Sequence, residues 1–275
     1  SVIESESGLS RAQIEEVASV YCESKKVIAC WAMGLTQQKH AVSTIQNIVN
    51  LLLLRGNIGR PGAGVCPVRG HSNVQGDRTV GITEHPNESF LKNLDVQFRI
   101  SSPRNSGFNT VQAIQAMESK NVKVFMGMGG NFARATPDSS RTEEALAKCE
   151  LTVQVTTKLN KTHLAHGKKA LILPCLGRSE LDVQASGEQS VTVEDSMGVV
   201  HSSRGRNQPA SENLKSEVAI VVGMARAAFT KNQKIWQALQ DDYRLIRKKI
   251  EAVLPELFED YNEKITQPGG FRLYN

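Results

Sequence analysis

Residues 56–76 read Gly56-Asn-Ile-Gly-Arg-Pro-Gly-Ala-Gly-Val-Cys-Pro-Val-Arg-Gly-His-Ser-Asn-Val-Gln-Gly76. This run holds six glycines and two prolines around Arg69, and it follows a strongly apolar stretch that is typical of a helix. Glycine lets backbone amides approach a ligand, proline stiffens the path, and arginine presents a fixed, charged fork. We therefore predict an ordered, ligand-wrapping loop that runs irregularly from about Arg55 to about Asn109.

The composition is that of a globular protein. The chain has 275 residues, of which 40% are hydrophobic and 22% charged, enough for two modest domains or one large one. It has no apolar run of membrane-spanning length and no basic-then-apolar leader, so we expect no membrane association. The net charge of +5 is mild and no basic stripe is interleaved with aromatics, which argues against nucleic acid but fits an anionic small molecule.

The cysteines and the first residue carry two further expectations. Cys22, Cys30, Cys66, Cys149 and Cys175 are scattered without any C-x-x-C pair. This pattern predicts reduced thiols in the cytoplasm and no zinc or iron–sulfur site built from this chain alone. The chain begins with Ser1 rather than Met, which we interpret as a piece of a longer polypeptide.

The hydrophobic periodicity alternates between helix and strand. It predicts a helix capped by Ser10, and a second helix over residues 37–54 with Thr36 as its N-cap and Gly56 as its stop. The Arg247-Lys-Lys249 cluster is interpreted as a solvated helix face. The helix capped by Ser10 is predicted over residues 10–21. Strands are predicted over residues 26–33, 122–127, 151–155 and 170–174, a hairpin over 191–201, and further helices over 110–119, 142–149, 219–229, 234–250 and 251–261. The order indicates an α/β fold with Rossmann-like parallel sheets.

Two strand-to-helix junctions have the composition of anion-binding loops. One reads Gly127-Met-Gly-Gly-Asn-Phe-Ala133, and the other, with less glycine, reads Met33-Gly-Leu-Thr-Gln37. Backbone N–H groups at such junctions receive phosphates at the carboxyl ends of parallel strands. The first junction matches the dinucleotide fingerprint G-x-G-x-x-G only in part, because Phe132 replaces the third glycine. The alternative is that these glycines only turn a tight corner.

Other polar candidates are weaker. His40, His163 and His166 form no metal-ligand pattern with any carboxylate pair, so we interpret them as surface or hydrogen-bonding histidines. No G-x-S-x-G elbow is present, and acyl-transfer chemistry has no support.

These motifs together resemble a known family. The glycine-rich run resembles the active-site loop of molybdopterin oxidoreductases of the formate dehydrogenase and DMSO reductase superfamily. Trp31-Ala-Met-Gly-Leu-Thr-Gln37, Phe125-Met-Gly-Met-Gly-Gly-Asn131 and Leu171-Ile-Leu-Pro174 follow in that superfamily's order. Thr157-Lys-Leu-Asn-Lys-Thr-His163 and Leu173-Pro-Cys-Leu-Gly-Arg-Ser-Glu-Leu-Asp182 are most similar to the formate dehydrogenase-like branch of molybdopterin oxidoreductase alpha subunits. The resemblance covers essentially the whole chain.

The resemblance implies an enzyme that carries molybdenum on two molybdopterin guanine dinucleotides and performs a two-electron oxidation or reduction of a small anionic substrate. Residues 1–70 would end one dinucleotide-binding domain, and residues 71–275 would form most of a second, pseudo-symmetric one. The molybdenum ligand and a 4Fe-4S cluster would belong to an amino-terminal part outside this chain. The partners would be the remaining domains of the same polypeptide and an electron carrier. The isolated chain would be inactive.

The resemblance also implies roles for single residues. Arg69 would orient the substrate, since a guanidinium fork matches a carboxylate. His71 is a second catalytic candidate and stands where formate dehydrogenases usually have glutamine. The implied cofactor-binding residues are Gly34, Thr36 and Gln37 at one junction, Gly70, Ser72 and Asn73 at the pterin, Gly127, Gly129, Gly130, Asn131, Phe132 and Ala133 at a pyrophosphate, and Gln154, Thr156, Thr157, Lys158 and Asn160 near the nucleoside.

Two other functions stay open at this point. The first is a nicotinamide-dependent Rossmann oxidoreductase. Two observations argue against it: Phe132 interrupts the glycine fingerprint, and no acidic residue is placed to bind a ribose. The second is a catalytically silent scaffold or interaction domain.

Overall fold

The computed structural model describes residues 1–68, 71 and 73–273. The chain divides into two compact units, Ser1–Val74 and Gln75–Asn275. The predicted division into dinucleotide-binding domains at residues 70 and 71 stays a prediction. None of the helices in the described residues is long and apolar enough to cross a bilayer.

The first unit contains a small parallel sheet. Its strands β1 and β2 pair in register from Ile28 opposite Gly64 to Trp31 opposite Pro67. The predicted helix after Ser10 is confirmed: the Ser10 hydroxyl accepts from the Gln13 amide, and the Gln13 side chain accepts from the Ser10 amide. The elements of this unit are α1 (Val2–Ser7), α2 (Arg11–Glu23), β1 (Ile28–Trp31), α3 (Met33–Thr36), α4 (Ala41–Leu54) and β2 (Gly64–Pro67).

Helix α4 ends where the sequence predicts but begins later. Gly56 has a φ of +61° and donates to Leu53, while the amide of Asn57 donates to Leu52, which is a Schellman ending. The predicted start at Gln37 with Thr36 as cap is wrong, because Thr36 is the last residue of the short helix α3. Residue His40 occupies the N-cap position of α4 without a side-chain hydrogen bond.

The predicted irregular loop from Arg55 to Asn109 is also wrong. Strand β2 lies within it, and so do helices α5 (Val74–Thr79) and α6 (Glu88–Phe98). The Asn87 side chain caps α6 by accepting from the amide of Phe90 at 2.7 Å, and Leu91 is buried. A polar cap followed by a buried apolar face is enough to form a helix inside a segment rich in glycine and proline at its start.

The second unit is built on a parallel sheet of order β3-β4-β5, which confirms the predicted α/β class. Ile114, Met117, Ala145, Leu146 and Cys149 form the apolar core between two of its helices and the sheet. The elements are α7 (Thr110–Glu118), β3 (Val124–Met128), α8 (Phe132–Ala135), α9 (Ser139–Ala147), β4 (Leu151–Thr156), a 3₁₀ turn (Lys161–Leu164) and β5 (Lys169–Pro174).

The remainder of this unit is a set of short strands followed by helices. The predicted hairpin is confirmed as β8 paired with β9. The predicted single helix over 234–250 is wrong, because Asp242 is extended and its carboxylate accepts from the amide of Arg244, so one helix ends and another begins there. The elements are β6 (Val183–Gln184), β7 (Gly187–Glu188), β8 (Val191–Glu194), β9 (Val199–Ser203), α10 (Glu217–Ala228), a 3₁₀ turn (Thr230–Asn232), α11 (Gln233–Asp241), α12 (Tyr243–Val253), α13 (Pro255–Phe258), α14 (Tyr261–Lys264) and β10 (Phe271–Arg272).

The expectation of a solvated face at residues 247–249 is wrong for Arg247, which is 8% exposed. Its guanidinium donates to the Asn262 side chain at 2.7 Å and to the Ser190 carbonyl at 2.9 Å. Burial lowers the pKa of this guanidinium from its usual range. Arg247 therefore ties helix α12 to the segments around Ser190 and Asn262.

Arg247→Ala is expected to lower the free energy of unfolding by about 2 kcal/mol, because both acceptors lose a charged donor. Urea unfolding of the variant measures this loss. The matched control is Lys248→Ala, since Lys248 is exposed on the same helix and should change stability by less than about 0.5 kcal/mol. Equal losses in the two variants would contradict a structural role for Arg247.

Candidate functional site

The candidate site lies at the carboxyl edge of the β3-β4-β5 sheet. The loop after β3 begins at Gly129, and the loop after β4 begins at Thr157. Because the strands are parallel, these two loops leave the same edge of the sheet.

The glycine loop after β3 leaves backbone donors without partners. Gly129 and Gly130 have φ values of +64° and +69°, and no heavy atom of the described residues lies within 4 Å of a Cβ built on either one. The amide of Gly129 donates to the Val155 carbonyl at 2.8 Å. In the described chain, by contrast, the N–H groups of Gly130, Asn131 and Phe132 donate to no acceptor. The loop thus turns at Gly129 and offers the three amides that follow.

Gln154 on β4 lies beside this loop. It is 6% exposed, and its Nε2 atom is buried without a hydrogen-bond partner among the described residues. A Cβ on Gly127 would stand 2.6 Å from the Gln154 Oε1 atom, so the missing side chain of Gly127 makes room for this carboxamide. A buried donor without an acceptor is costly, and it indicates a ligand or water in the complete protein.

Asn160 and Thr162 join the two loops. The Asn160 side chain donates to the Gly130 carbonyl at 2.7 Å and accepts from the Thr162 amide at 3.0 Å. The Thr162 hydroxyl, 2% exposed, accepts from the Ala133 amide at 3.0 Å and donates to the Asn131 side chain at 2.8 Å. The glycine loop is therefore fixed by hydrogen bonds from the loop after β4.

Sequence reasoning included Asn160 but missed Thr162. No local signal points to Thr162, because its hydroxyl bonds to Ala133 and Asn131, which lie 29 and 31 residues away in the sequence. The prediction that His163 is a hydrogen-bonding histidine is confirmed, because its Nδ1 atom accepts from the Asn160 amide at 2.9 Å.

Thr162→Val keeps the shape of the side chain but removes both hydrogen bonds of the hydroxyl. The Ala133 amide is then buried without an acceptor, and we expect the free energy of unfolding to fall by about 2 kcal/mol. Thermal or urea unfolding tests this. Thr157→Val, at an exposed position in the same loop, is the matched control and should be close to neutral. A Thr162→Val variant as stable as this control would show that the network does not hold the loop.

The structure places the other predicted residues of this unit around the same loops. Thr156 is buried, and its hydroxyl donates to the Lys158 carbonyl at 2.7 Å. The Phe132 ring packs against Phe125 at 4.9 Å between centroids, and Ala133 is fully buried. Phe132 and Ala133 therefore stabilise the turn of the glycine loop through packing.

In the first unit the predicted residues Gly34 and Thr36 lie on α3, and Gln37 follows at its end. All three are exposed. His71 is exposed, and Asn73 has a φ of +77°. Arg69, Gly70 and Ser72 lie outside the described residues, and their predicted roles stay predictions.

The part of the chain that the structure describes brings together no group of three or more His, Cys, Asp or Glu side chains that could hold a metal ion. All five cysteines are free thiols.

The donors at the sheet edge fit the phosphate and nucleoside portions of a dinucleotide. Unpartnered amides after Gly129 suit the oxygens of a pyrophosphate, and positive φ angles with open space allow its close approach. The unpartnered Nε2 atom of Gln154 suits a polar acceptor group of a ligand.

The parallel sheet with its helices places this unit in the class of α/β proteins, which bind ligands at the carboxyl ends of their strands. The model of the family described as molybdopterin oxidoreductase matches residues 12–174, more than half of the chain. The chain belongs to the molybdopterin oxidoreductase family, which confirms the resemblance of its sequence motifs.

Curated relatives match more than half of the length of this chain. Uncharacterized oxidoreductase Mb2924c of Mycobacterium bovis is 56% identical over 97% of this chain and 34% of its own length. Protein YdeP of Escherichia coli is 50% identical over 99% of this chain and 36% of its own length. Formate dehydrogenase H of Escherichia coli is 28% identical over 58% of this chain and 24% of its own length. The chain spans about a third of the length of the first two relatives.

Proposed function

We propose that the chain is part of a formate dehydrogenase-like oxidoreductase that carries molybdenum on two molybdopterin guanine dinucleotides. The observation that carries this proposal is the unpartnered Nε2 atom of Gln154 beside the free amides of the glycine loop. Family membership supports a molybdopterin. The free amides suit a phosphate of either form, and the Gln154 Nε2 atom supports the dinucleotide form, because a molybdopterin without a nucleotide ends at its phosphate and offers no nucleoside for this donor.

In this proposal the pyrophosphate lies against the amides of Gly130 and Asn131. The nucleoside is lined by Gln154, Thr156, Thr157, Lys158 and Asn160. Asn160 and Thr162 keep the amides in place through the hydrogen bonds described above. Preorganised donors bind an anion without the cost of ordering a flexible loop. The residues of the first unit that we propose to contact the cofactor are Gly34, Thr36, Gln37, Gly70, Ser72 and Asn73.

The substrate in this proposal is a small anion. Arg69 orients it through a bidentate contact to a carboxylate or a similar oxyanion, and His71 provides a second polar contact. When bound, the molybdenum centre accepts or donates the two electrons of the reaction. The likeness to formate dehydrogenase H supports formate as the first substrate to assay.

The rest of the polypeptide completes the enzyme. We assign the molybdenum ligand and a 4Fe-4S cluster to segments outside this chain, together with transfer of electrons to a separate carrier. The proposal includes a cytoplasmic location and an inactive isolated chain.

Mass spectrometry of the cofactor released from the full-length protein tests this proposal. We expect a guanine–pterin dinucleotide, with two dinucleotides for each molybdenum. A nicotinamide nucleotide would support the Rossmann alternative, and a protein without any nucleotide would support a scaffold. Either result would contradict the proposed function.

A further inference from the structure

Two of the free thiols face each other across the small sheet of the first unit. Cys30 on β1 is the register partner of Cys66 on β2, although the two residues are far apart in the sequence. Both are exposed. Cys149 and Cys175 are buried in the second unit, and burial raises the pKa of each of their thiols.

The spacing of neighbouring strands suits a disulfide between these two positions. Paired strands lie about 4.8 Å apart. Disulfides join Cα atoms that are about 4.4 to 6.8 Å apart. Register partners in a sheet also point to the same face, so both sulfur atoms lie on one side of it. Parallel Cα–Cβ bonds keep the two Cβ atoms at about the strand spacing of 4.8 Å, slightly beyond the roughly 3.5 to 4.5 Å of a disulfide, so the strands move slightly closer when the bond forms.

The two thiols also interact chemically. Loss of solvent around Cys30, together with the neighbouring Cys66 side chain, raises the pKa of the Cys30 thiol. The two side chains therefore lie close enough to influence each other.

We propose that Cys30 and Cys66 are a reversible oxidation site that forms an intramolecular disulfide in the presence of hydrogen peroxide. The Cys66 thiolate attacks one peroxide oxygen, the O–O bond breaks, and one water leaves after proton transfer. The Cys30 sulfur then attacks the resulting Cys66 sulfenic acid, the S–O bond breaks, and a second water leaves. Two thiols are oxidised and one peroxide is reduced. A dithiol such as dithiothreitol reverses the reaction by thiol–disulfide exchange.

The site lies next to the segments with predicted cofactor roles. Cys30 precedes α3 by three residues, and Cys66 precedes Arg69 by the same number. A covalent bond here fixes the ends of both strands against each other. The strand register and the two thiols are present whatever cofactor the protein binds, so oxidation here is independent of the proposed function.

The test is peptide mapping of the reduced, full-length protein after brief exposure to hydrogen peroxide. Free thiols are blocked with N-ethylmaleimide, and trypsin digestion follows without a reductant. Trypsin releases Cys30 in residues 27–39 and Cys66 in residues 56–69, because the bond between Arg60 and Pro61 resists cleavage. We expect these two peptides to be joined, with a mass two hydrogens below their sum, and to separate on addition of dithiothreitol.

Two variants make the test specific. Cys22→Ser is the matched control, because Cys22 is an exposed thiol of the same unit on helix α2, and this variant should give the joined peptide in full yield. Cys30→Ser should abolish the joined peptide and leave Cys66 as a sulfenic acid that dimedone traps. The proposal is overturned if the wild-type protein gives no joined peptide, or if Cys22 is joined to Cys30 or Cys66 as often as these two are joined to each other.

Discussion

Arg69→Ala in the full-length protein is expected to lower turnover of its anionic substrate by about a hundred-fold or more, while molybdenum content and folding stay intact. The reason is electrostatic: a guanidinium that orients a negative charge at the reacting centre stabilises the transition state directly. Arg69→Lys should restore little of the loss, since an ammonium group cannot form the bidentate contact of a guanidinium. Steady-state kinetics with metal analysis of each preparation measure both effects.

Arg60→Ala is the control for this experiment. Arg60 lies in the same glycine-rich run, but its guanidinium donates to the Asn57 side chain at 2.8 Å and to the Lys25 carbonyl. Arg60→Ala should therefore lower the free energy of unfolding but not the turnover per molybdenum. If Arg69→Ala retains wild-type turnover per molybdenum, the role of Arg69 as substrate-orienting residue is wrong.

Gly130→Val is expected to lower cofactor occupancy by about ten-fold or more. A β-branched residue strains the left-handed backbone of Gly130, whose φ is +69°, and its side chain fills the open space in front of the free amides. A pyrophosphate then cannot approach the loop. Cofactor content per protein, measured by metal analysis and by release of the dinucleotide, gives the result.

Gly269→Val separates this effect from backbone strain alone. Gly269 lies in the same unit and has a φ of +82°, and a Cβ at this position would have no heavy atom of the described residues within 4 Å. Both variants should lose comparable stability, about 1 to 2 kcal/mol for an L-residue in this conformation. Only Gly130→Val should lose cofactor. Equal occupancy in the two variants would mean that the glycine loop is a structural turn.

The elements that the sequence predicts correctly are those with complete local signals. Ser10 and Gln13 form a capping box within four residues, and Gly56 ends α4 because only glycine adopts its left-handed conformation easily. Strand β4 alternates apolar with polar residues and β5 contains the apolar run 170–173, and each strand occurs within a residue of its predicted bounds. Their parallel order follows from the alternation of helix and strand.

The elements that sequence reasoning misses depend on distant contacts or on weak local signals. Helix α6 has a cap at Asn87 and a buried Leu91, but the density of glycine and proline before it favours an irregular interpretation. The break at Asp242 interrupts a helical pattern that continues on both sides of it.

The candidate site is predictable as a set of residues, but its internal bonding is not. Nothing local indicates that the Gly129 amide is used by Val155 or that Thr162 holds Ala133. The pairing of Cys30 with Cys66 likewise requires the register of two strands separated by two helices.

A structure of the full-length protein with its cofactor bound tests the central claim most directly. The account predicts pyrophosphate oxygens within about 3 Å of the Gly130 and Asn131 amides, and a polar ligand atom at the same distance from the Gln154 carboxamide. A dinucleotide bound elsewhere, with these amides and Gln154 facing only solvent or other protein groups, would contradict it.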